Sequence, residues 1–365
     1  MSKHSKNLRL TAVSGMVALA MGSIAIASES PKAPGGTDTS IMLHFPGAIR
    51  DSINQQVAAK FAESSGKTIH SEYQRSGGFS KAIKASIAEG ALGFNLVVTY
   101  GRTGETPPGR DIFKHLNNAR DLLQPLPDHL KMAPEFAALA DTGAGQLMVP
   151  YVGLMAITYN PKLIDTADVP KSWAELANFS GDLAVPGRGC FAMRTLASLY
   201  DVVGVEKFEA IVKTAKIPAM QTMKDDPRKG NDRPFSGCGV VDQVLEGSHQ
   251  VAIGPLVGPN IMAAINDGTL GVIWPSEGAI AFPYIMAVKK DPGKADMALL
   301  DFIAKDDVMQ QMFVDYGISS TLEGGKVSTL IKDNDFKFRF VPMANKMNPE
   351  VHQDIIAIVE RNKPQ

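Results

Sequence analysis

The sequence predicts an α/β protein of two lobes, on three observations. From Ile41 onward, short apolar runs of strand character alternate with segments whose apolar residues recur at helical spacing. That alternation begins afresh after Asn160-Pro161. The chain has 365 residues and 44% hydrophobic content, past the size at which a single core tends to split.

In the first half, Ile41 to His44 reads as a strand and Phe45-Pro46-Gly47 as a turn into a helix carrying Ile53, Val57, Ala58 and Phe61. Gly66 ends that helix, Thr68 to Tyr73 alternates like a strand, Ser76-Gly77-Gly78-Phe79-Ser80 opens a second helix, and Leu96 to Thr99 is a third strand. A βαβαβ order implies a parallel sheet, and such sheets bind ligands at the carboxyl ends of their strands. The loops after His44, after Gln74 and after Tyr100 are therefore the candidate site loops. Leu147 to Tyr151 and Met155 to Tyr159 read as two strands in close succession.

The second half repeats the theme. Trp173 begins a short helix, Asp182 to Val185 is a strand, Pro186-Gly187-Arg188-Gly189 is a tight loop and Phe191 to Val203 is a helix. A polar excursion, Lys216 to Pro234, precedes a helix at Val240 to Glu246, a strand at Val251 to Ile253 and a helix at Pro259 to Asn266. Two apolar runs, Leu270 to Trp274 and Ala279 to Val288, flank Pro275-Ser276-Glu277-Gly278. The chain ends in helices at Ala295 to Ala304, Val308 to Tyr316 and Pro349 to Arg361. Glu277 sits at the mouth of two buried strands and has two readings: a carboxylate capping nearby backbone amides, or a ligand contact.

Residues 1–27 have a basic head (Lys3, Lys6, Arg9), an apolar run from Leu10 to Ile24 and a small-x-small site at Ala25-Ile26-Ala27. This predicts a secretory signal, cleaved on export to the periplasm, followed by a linker over residues 28–40. No cysteine lies near the cleavage site to carry a lipid, and no later run is long and apolar enough to span a bilayer. Without the three basic residues of the signal, 34 of the 37 Lys+Arg face 38 Asp+Glu, a net charge of about −4. No basic stripe is visible, which excludes nucleic acid and anionic membrane surfaces as expected partners. Cys190 and Cys238 are the two cysteines, and in an exported protein an isolated pair predicts a disulfide. The bridge would close a loop of about fifty residues and add about 4 kcal/mol in the chain-entropy picture.

Several stretches together resemble a class II periplasmic solute-binding protein of an ABC importer, of the ferric-iron-binding-like branch. They are Val149-Pro150-Tyr151, Ile157-Thr158-Tyr159-Asn160-Pro161, Pro170-Lys171-Ser172-Trp173-Ala174-Glu175-Leu176, Gly181-Asp182-Leu183-Ala184-Val185-Pro186 and Pro275-Ser276-Glu277-Gly278. The resemblance spans residues 40–320. It implies the type II periplasmic binding protein-like fold: two parallel or mixed sheets flanked by helices, with hinge strands crossing near Met155 and Gly278. Lobe 1 would hold 41–154 and 279–365, and lobe 2 would hold 155–278. It also implies a monomer that captures a small solute and passes it to an ABC permease and its ATPase, without membrane insertion. In the iron-binding relatives two adjacent tyrosines follow the strand matching Val251-Ala252-Ile253. Pro259 and Asn260 stand there in this chain.

Three features suggest an anionic or zwitterionic solute. Ser76, Gly77 and Gly78, with Ser80, offer amides and hydroxyls at a helix start. Arg102, beside Tyr100, follows the third strand, and Arg188 follows the first strand of the second lobe; both face the cleft in the implied architecture, and a guanidinium fork suits carboxylates. His44, Tyr151, Asn260 and Glu277 complete the candidate contacts. Each has a plainer reading as an N-cap, a surface arginine, a strand-end histidine or a packed hinge aromatic. Histidines at 44, 70, 115, 129, 249 and 352 form no close ligand pair, so no metal site and no cofactor is predicted. No nucleophile elbow or zincin pair is present, and Gly66-Lys67-Thr68 lacks the earlier glycine of a phosphate loop, Phe61 standing in its place. No catalytic residue is assigned. The alternatives are a ferric-iron or metal-complex binder of the same fold, or a sensor presenting solute to a membrane receptor.

Overall fold

The computed structural model describes residues 35–45, 47–74, 76–100, 115–116, 118–125, 127–142, 147–187, 192–217, 239–332, 338–340 and 349–364. The first half forms as its periodicity requires: β1 (Thr39–His44), α1 (Gly47–Ser65), β2 (Ile69–Tyr73), α2 (Ser76–Glu89) and β3 (Leu96–Tyr100). Gly66 ends α1 in the left-handed region, at φ 65°, where glycine carries no Cβ penalty. β1 runs parallel to β2 on one side and β3 on the other. As an inner strand of a sheet covered by helices, it is buried at all six positions.

The two strands expected between Leu147 and Tyr159 are one, β4 (Met148–Tyr159). The Val152-Gly153-Leu154 stretch between them contains no turn, because a neighbouring strand pairs with it throughout and holds it extended. Gly153 is required there by packing: a Cβ would overlap the Phe282 ring. The helix expected at Trp173 is a 3-10 turn at Glu175–Asn178. β5 (Leu183–Ala184) and α3 (Ala192–Val203) follow as predicted.

A helix not anticipated from the sequence, α4 (Val205–Ala215), comes next, set off from α3 by Gly204 at φ 77°. Then come α5 (Asp242–Leu245), β6 (Val251–Pro255), α6 (Pro259–Asn266), β7 (Gly271–Ile273) and β8 (Ala279–Val288). α7 (Lys294–Lys305), α8 (Asp307–Asp315), β9 (Ser319–Ser320), α9 (Thr329–Lys332), β10 (Phe338–Phe340) and α10 (Pro349–Arg361) complete the described chain.

The strands share one mixed sheet in the order β2-β1-β3-β8-β4-β6-β5, with β10 on β8 and with β7 and β9 on β4. Two sheets joined by crossing hinge strands were expected, and β4 is such a strand. β4 joins them, since it pairs with β8 from Met148 to Met155 and with β6 from Met155 to Tyr159. A further link ties the halves beside these strands. The Leu256 amide donates to the Leu154 carbonyl at 2.8 Å, and the Gly258 amide to that of Tyr316 at 3.1 Å. Gly317, at φ 80°, makes the close approach possible, because a Cβ there would overlap the Leu256 carbonyl oxygen.

The expected division assigns residues 279–365 wholly to the first lobe. α10 instead packs on α3 and α4, in the second half of the fold. Arg361 grips Glu209 with two charge-assisted bonds, at 2.7 and 2.6 Å, and Asn362 adds a third at 2.9 Å. Those bonds lower the Glu209 carboxyl to about 2. Among the described residues no helix is long and apolar enough to cross a membrane.

Candidate functional site

β1 and β3 are parallel and end side by side, which brings His44 and Tyr100 together. The His44 ring stacks on Tyr100 at 4.7 Å and 20°, and Phe79 of α2 is tilted against it at 5.6 Å. His44 Nδ1 lies 2.9 Å from the Thr99 hydroxyl, which itself donates to the Tyr100 carbonyl at 3.1 Å. A hydroxyl has one proton to give, so the His44 nitrogen is the donor of this pair. His44 and Tyr100 are buried. β8 extends the layer: Tyr284 sits directly opposite Tyr100 on one side and Tyr151 on the other.

Ser76, Gly77 and Gly78 form the first turn of α2, as predicted. Gln74 folds over that turn, its side-chain oxygen occupying the space a Cβ on Gly78 would need.

Tyr151, a candidate contact in the sequence, belongs to the core. Its hydroxyl donates to the Ile303 carbonyl at 2.6 Å and its ring packs on Phe313 at 4.1 Å. Burial, with Asp306 adding to it, pushes the phenol far above its ordinary value. Glu277 takes the capping role of its two readings: its oxygens accept the backbone amides of Trp173 and Ala174, each at 3.1 Å. Trp173 answers by donating from Nε1 to the Gly278 carbonyl at 2.7 Å. This pins the 171–178 turn to the crossing strand and commits the Glu277 carboxylate to backbone amides. Asn260 is exposed in the first turn of α6 and donates to Asp242 at 3.2 Å, apart from the His44–Tyr100 layer. Arg102, Arg188, Cys190 and Cys238 lie outside the described residues.

Two residues escaped the sequence reading. Tyr284 looked like one more apolar residue of a buried strand, and only strand register sets it against Tyr100. Trp173 was read as a helix start, whereas its indole spans to Gly278. Among the described residues, no group of three His, Cys, Asp or Glu side chains is placed to hold a metal ion.

The family of bacterial extracellular solute-binding proteins matches residues 109–339, more than half of the chain. The chain belongs to this family. Comparison with curated protein sequences finds no match. The fold of this solute-binding protein is similar to that of iron-bound HitA from Pseudomonas aeruginosa, at TM-score 0.57 and 16% identity over 89% of this chain and 99% of that one. It is similar to a Trichodesmium protein (IdiA, FutA) in complex with iron and citrate, at TM-score 0.58 and 14% identity over 88% and 99%. It is also similar to a putative extracellular solute-binding protein from Bordetella parapertussis, at TM-score 0.60 and 14% identity over 89% and 99%. At these identities the likeness shows the fold, a two-lobed periplasmic binding architecture. The solute-binding role and its extracytoplasmic setting rest on the family.

Proposed function

We propose that this protein captures a small anionic or zwitterionic solute between its two halves and delivers it to an ABC permease and its ATPase. The observation that carries this reading is where the strands point. β3 ends at Tyr100, two residues before Arg102, and β5 ends at Ala184, four residues before Arg188. Parallel strands in these folds present ligands with their carboxyl ends. Two guanidinium groups drawn together from opposite halves repel unless an anion lies between them. Arg188→Ala is therefore expected to weaken solute binding by about 2 kcal/mol, with folding nearly unchanged. Calorimetry on wild type and variant decides: equal affinity, or a best ligand that is a bare cation or neutral sugar, removes the anion reading.

Direct capture of ferric iron has less support. Phenolates grip that ion, and all seven tyrosines of the chain are among the described residues. Tyr100, Tyr151, Tyr159, Tyr284 and Tyr316 are buried, and none neighbours another in sequence. An anionic metal complex remains compatible with the arginines, and the Trichodesmium neighbour's iron and citrate make ferric citrate a natural member of the ligand panel.

We further propose that Cys190 and Cys238 are bridged, tying the start of α3 to the segment before α5. Thiol titration of unfolded, unreduced protein is expected to find none free; two reactive thiols per chain would refute the bridge.

A further inference from the structure

The fold leaves a hydrogen-bond donor unused at the level where β1 and β3 end. Tyr284 lies opposite Tyr100, with ring centroids 6.3 Å apart, and 5.6 Å from the Phe45 ring. It is 1% exposed and its hydroxyl has no hydrogen-bond partner among the described residues. Buried hydroxyls in this condition are rare, because the group gives up its water and receives nothing in exchange. Tyr151, opposite Tyr284 on the next strand, shows the ordinary outcome, since its hydroxyl is satisfied by the Ile303 carbonyl at 2.6 Å.

A second hydroxyl shares the condition on the other face of the sheet, where α2 packs in a separate core cluster from Tyr100 and Tyr284. Ser80 follows Phe79, whose ring packs on His44. It is 3% exposed and also without a partner. Serines inside helices commonly return to the carbonyl four residues back, as Ser86 does to Ala82 at 2.9 Å. Ser80 does not.

Burial, reinforced by Tyr100, pushes the Tyr284 phenol well above its ordinary value, so it stays protonated. It is a neutral donor and not a phenolate, and its natural complement is an oxygen acceptor, best a charged one.

We propose that Tyr284 is a specificity-determining residue of the solute site, donating its hydroxyl to a carboxylate oxygen of the solute. The assignment rests on the anion-capture reading above and names the oxyanion class within it. Tyr284 is buried, so a solute oxygen reaches its hydroxyl only where a neighbouring side chain moves aside.

The test compares citrate and succinate binding by calorimetry in wild type, Tyr284→Phe and Ser80→Ala, with thermal unfolding of each in the absence of ligand. Wild type is expected to bind at least one of the two acids. Tyr284→Phe should bind it tenfold or more weakly, while melting at the same or a higher temperature, because the lost hydroxyl served no partner in the fold. Ser80→Ala, on the other face of the sheet, should bind as wild type does. Unchanged affinity in Tyr284→Phe overturns the assignment and leaves anion capture standing. A lower melting temperature for ligand-free Tyr284→Phe also overturns it, by showing that the hydroxyl serves the fold. Wild type binding neither acid overturns the carboxylate assignment, and anion capture is then decided by the Arg188→Ala comparison alone.

Discussion

Trp173→Ala is expected to lower the unfolding free energy by about 3–5 kcal/mol, the range for deleting a large aromatic from a packed interior. The side chain is fully buried, in one core cluster with Leu176, Leu183 and Phe208. Its loss opens a cavity that this cluster cannot collapse to fill, since β5 and the 3-10 turn at Glu175–Asn178 are each held by their own backbone bonds. It also strands the Gly278 carbonyl, whose partner is the indole nitrogen at 2.7 Å. Trp173→Phe separates the two causes, because it keeps most of the ring volume and removes only the hydrogen bond; a loss of about 1–2 kcal/mol is expected there. Urea unfolding of the three proteins is the measurement. A loss below about 1 kcal/mol in the alanine variant would contradict the packing described.

Asp296→Ala is the second large effect, expected at about 1–3 kcal/mol because it leaves the Thr39, Asn95 and Gly293 donors without their acceptor, while the partly exposed Lys289 turns to solvent. Asp296, in the first turn of α7, is 2% exposed. It accepts from the Thr39 hydroxyl at 2.7 Å, the Asn95 amide at 2.5 Å and the Gly293 backbone amide at 2.8 Å, and pairs with Lys289 at 3.2 Å. Those groups reach it from β1, from the segment before β3 and from the end of β8, so the carboxylate joins α7 to three parts of the sheet. Burial alone would raise its pKa. The bonds from Thr39, Gly293, Asn95 and Lys289 outweigh burial and hold the carboxyl below its ordinary value.

The pH dependence follows from that direction. A carboxyl whose folded value is depressed contributes its full stability above its unfolded value, near 4, and loses it as pH falls through the folded value. Wild-type stability should therefore fall in acid below about pH 4 more steeply than that of Asp296→Ala. Parallel curves for the two proteins between about pH 5 and pH 2 would show that Asp296 carries none of this dependence.

The sequence alone determined those elements whose signals are local. The run from β1 to β3 was legible because strand alternation, helical spacing and Gly66 act within a few residues of one another, and the resemblance in Pro170 to Leu176 and Pro275 to Gly278 pointed to the two-lobed fold. α4 was left unassigned although its signal is local, with Phe208, Ile211, Val212 and Ala215 recurring at helical spacing after Gly204. The continuity of β4 was a tertiary decision: Val152-Gly153-Leu154 has no strong strand signal, and it is extended because β8 pairs with it. Glu277 could not be assigned from its own neighbourhood, since the amides it caps belong to Trp173 and Ala174, about a hundred residues away. The return of α10 to α3 and α4 depends on Ile355, Ile358 and Val359 entering one core cluster with Leu196, Leu199, Phe208 and Ile211, with the exposed Glu209–Arg361 pair at its edge. Tyr100, Tyr151 and Tyr284 look alike in sequence, as tyrosines within apolar strands. Their difference, one phenol bonded to Ile303 and another left without a partner, arises from strand register and from the helix packed over each. Periodicity says which residues turn inward, but only the assembled neighbours decide which buried polar atom is satisfied by the fold and which is left for a ligand.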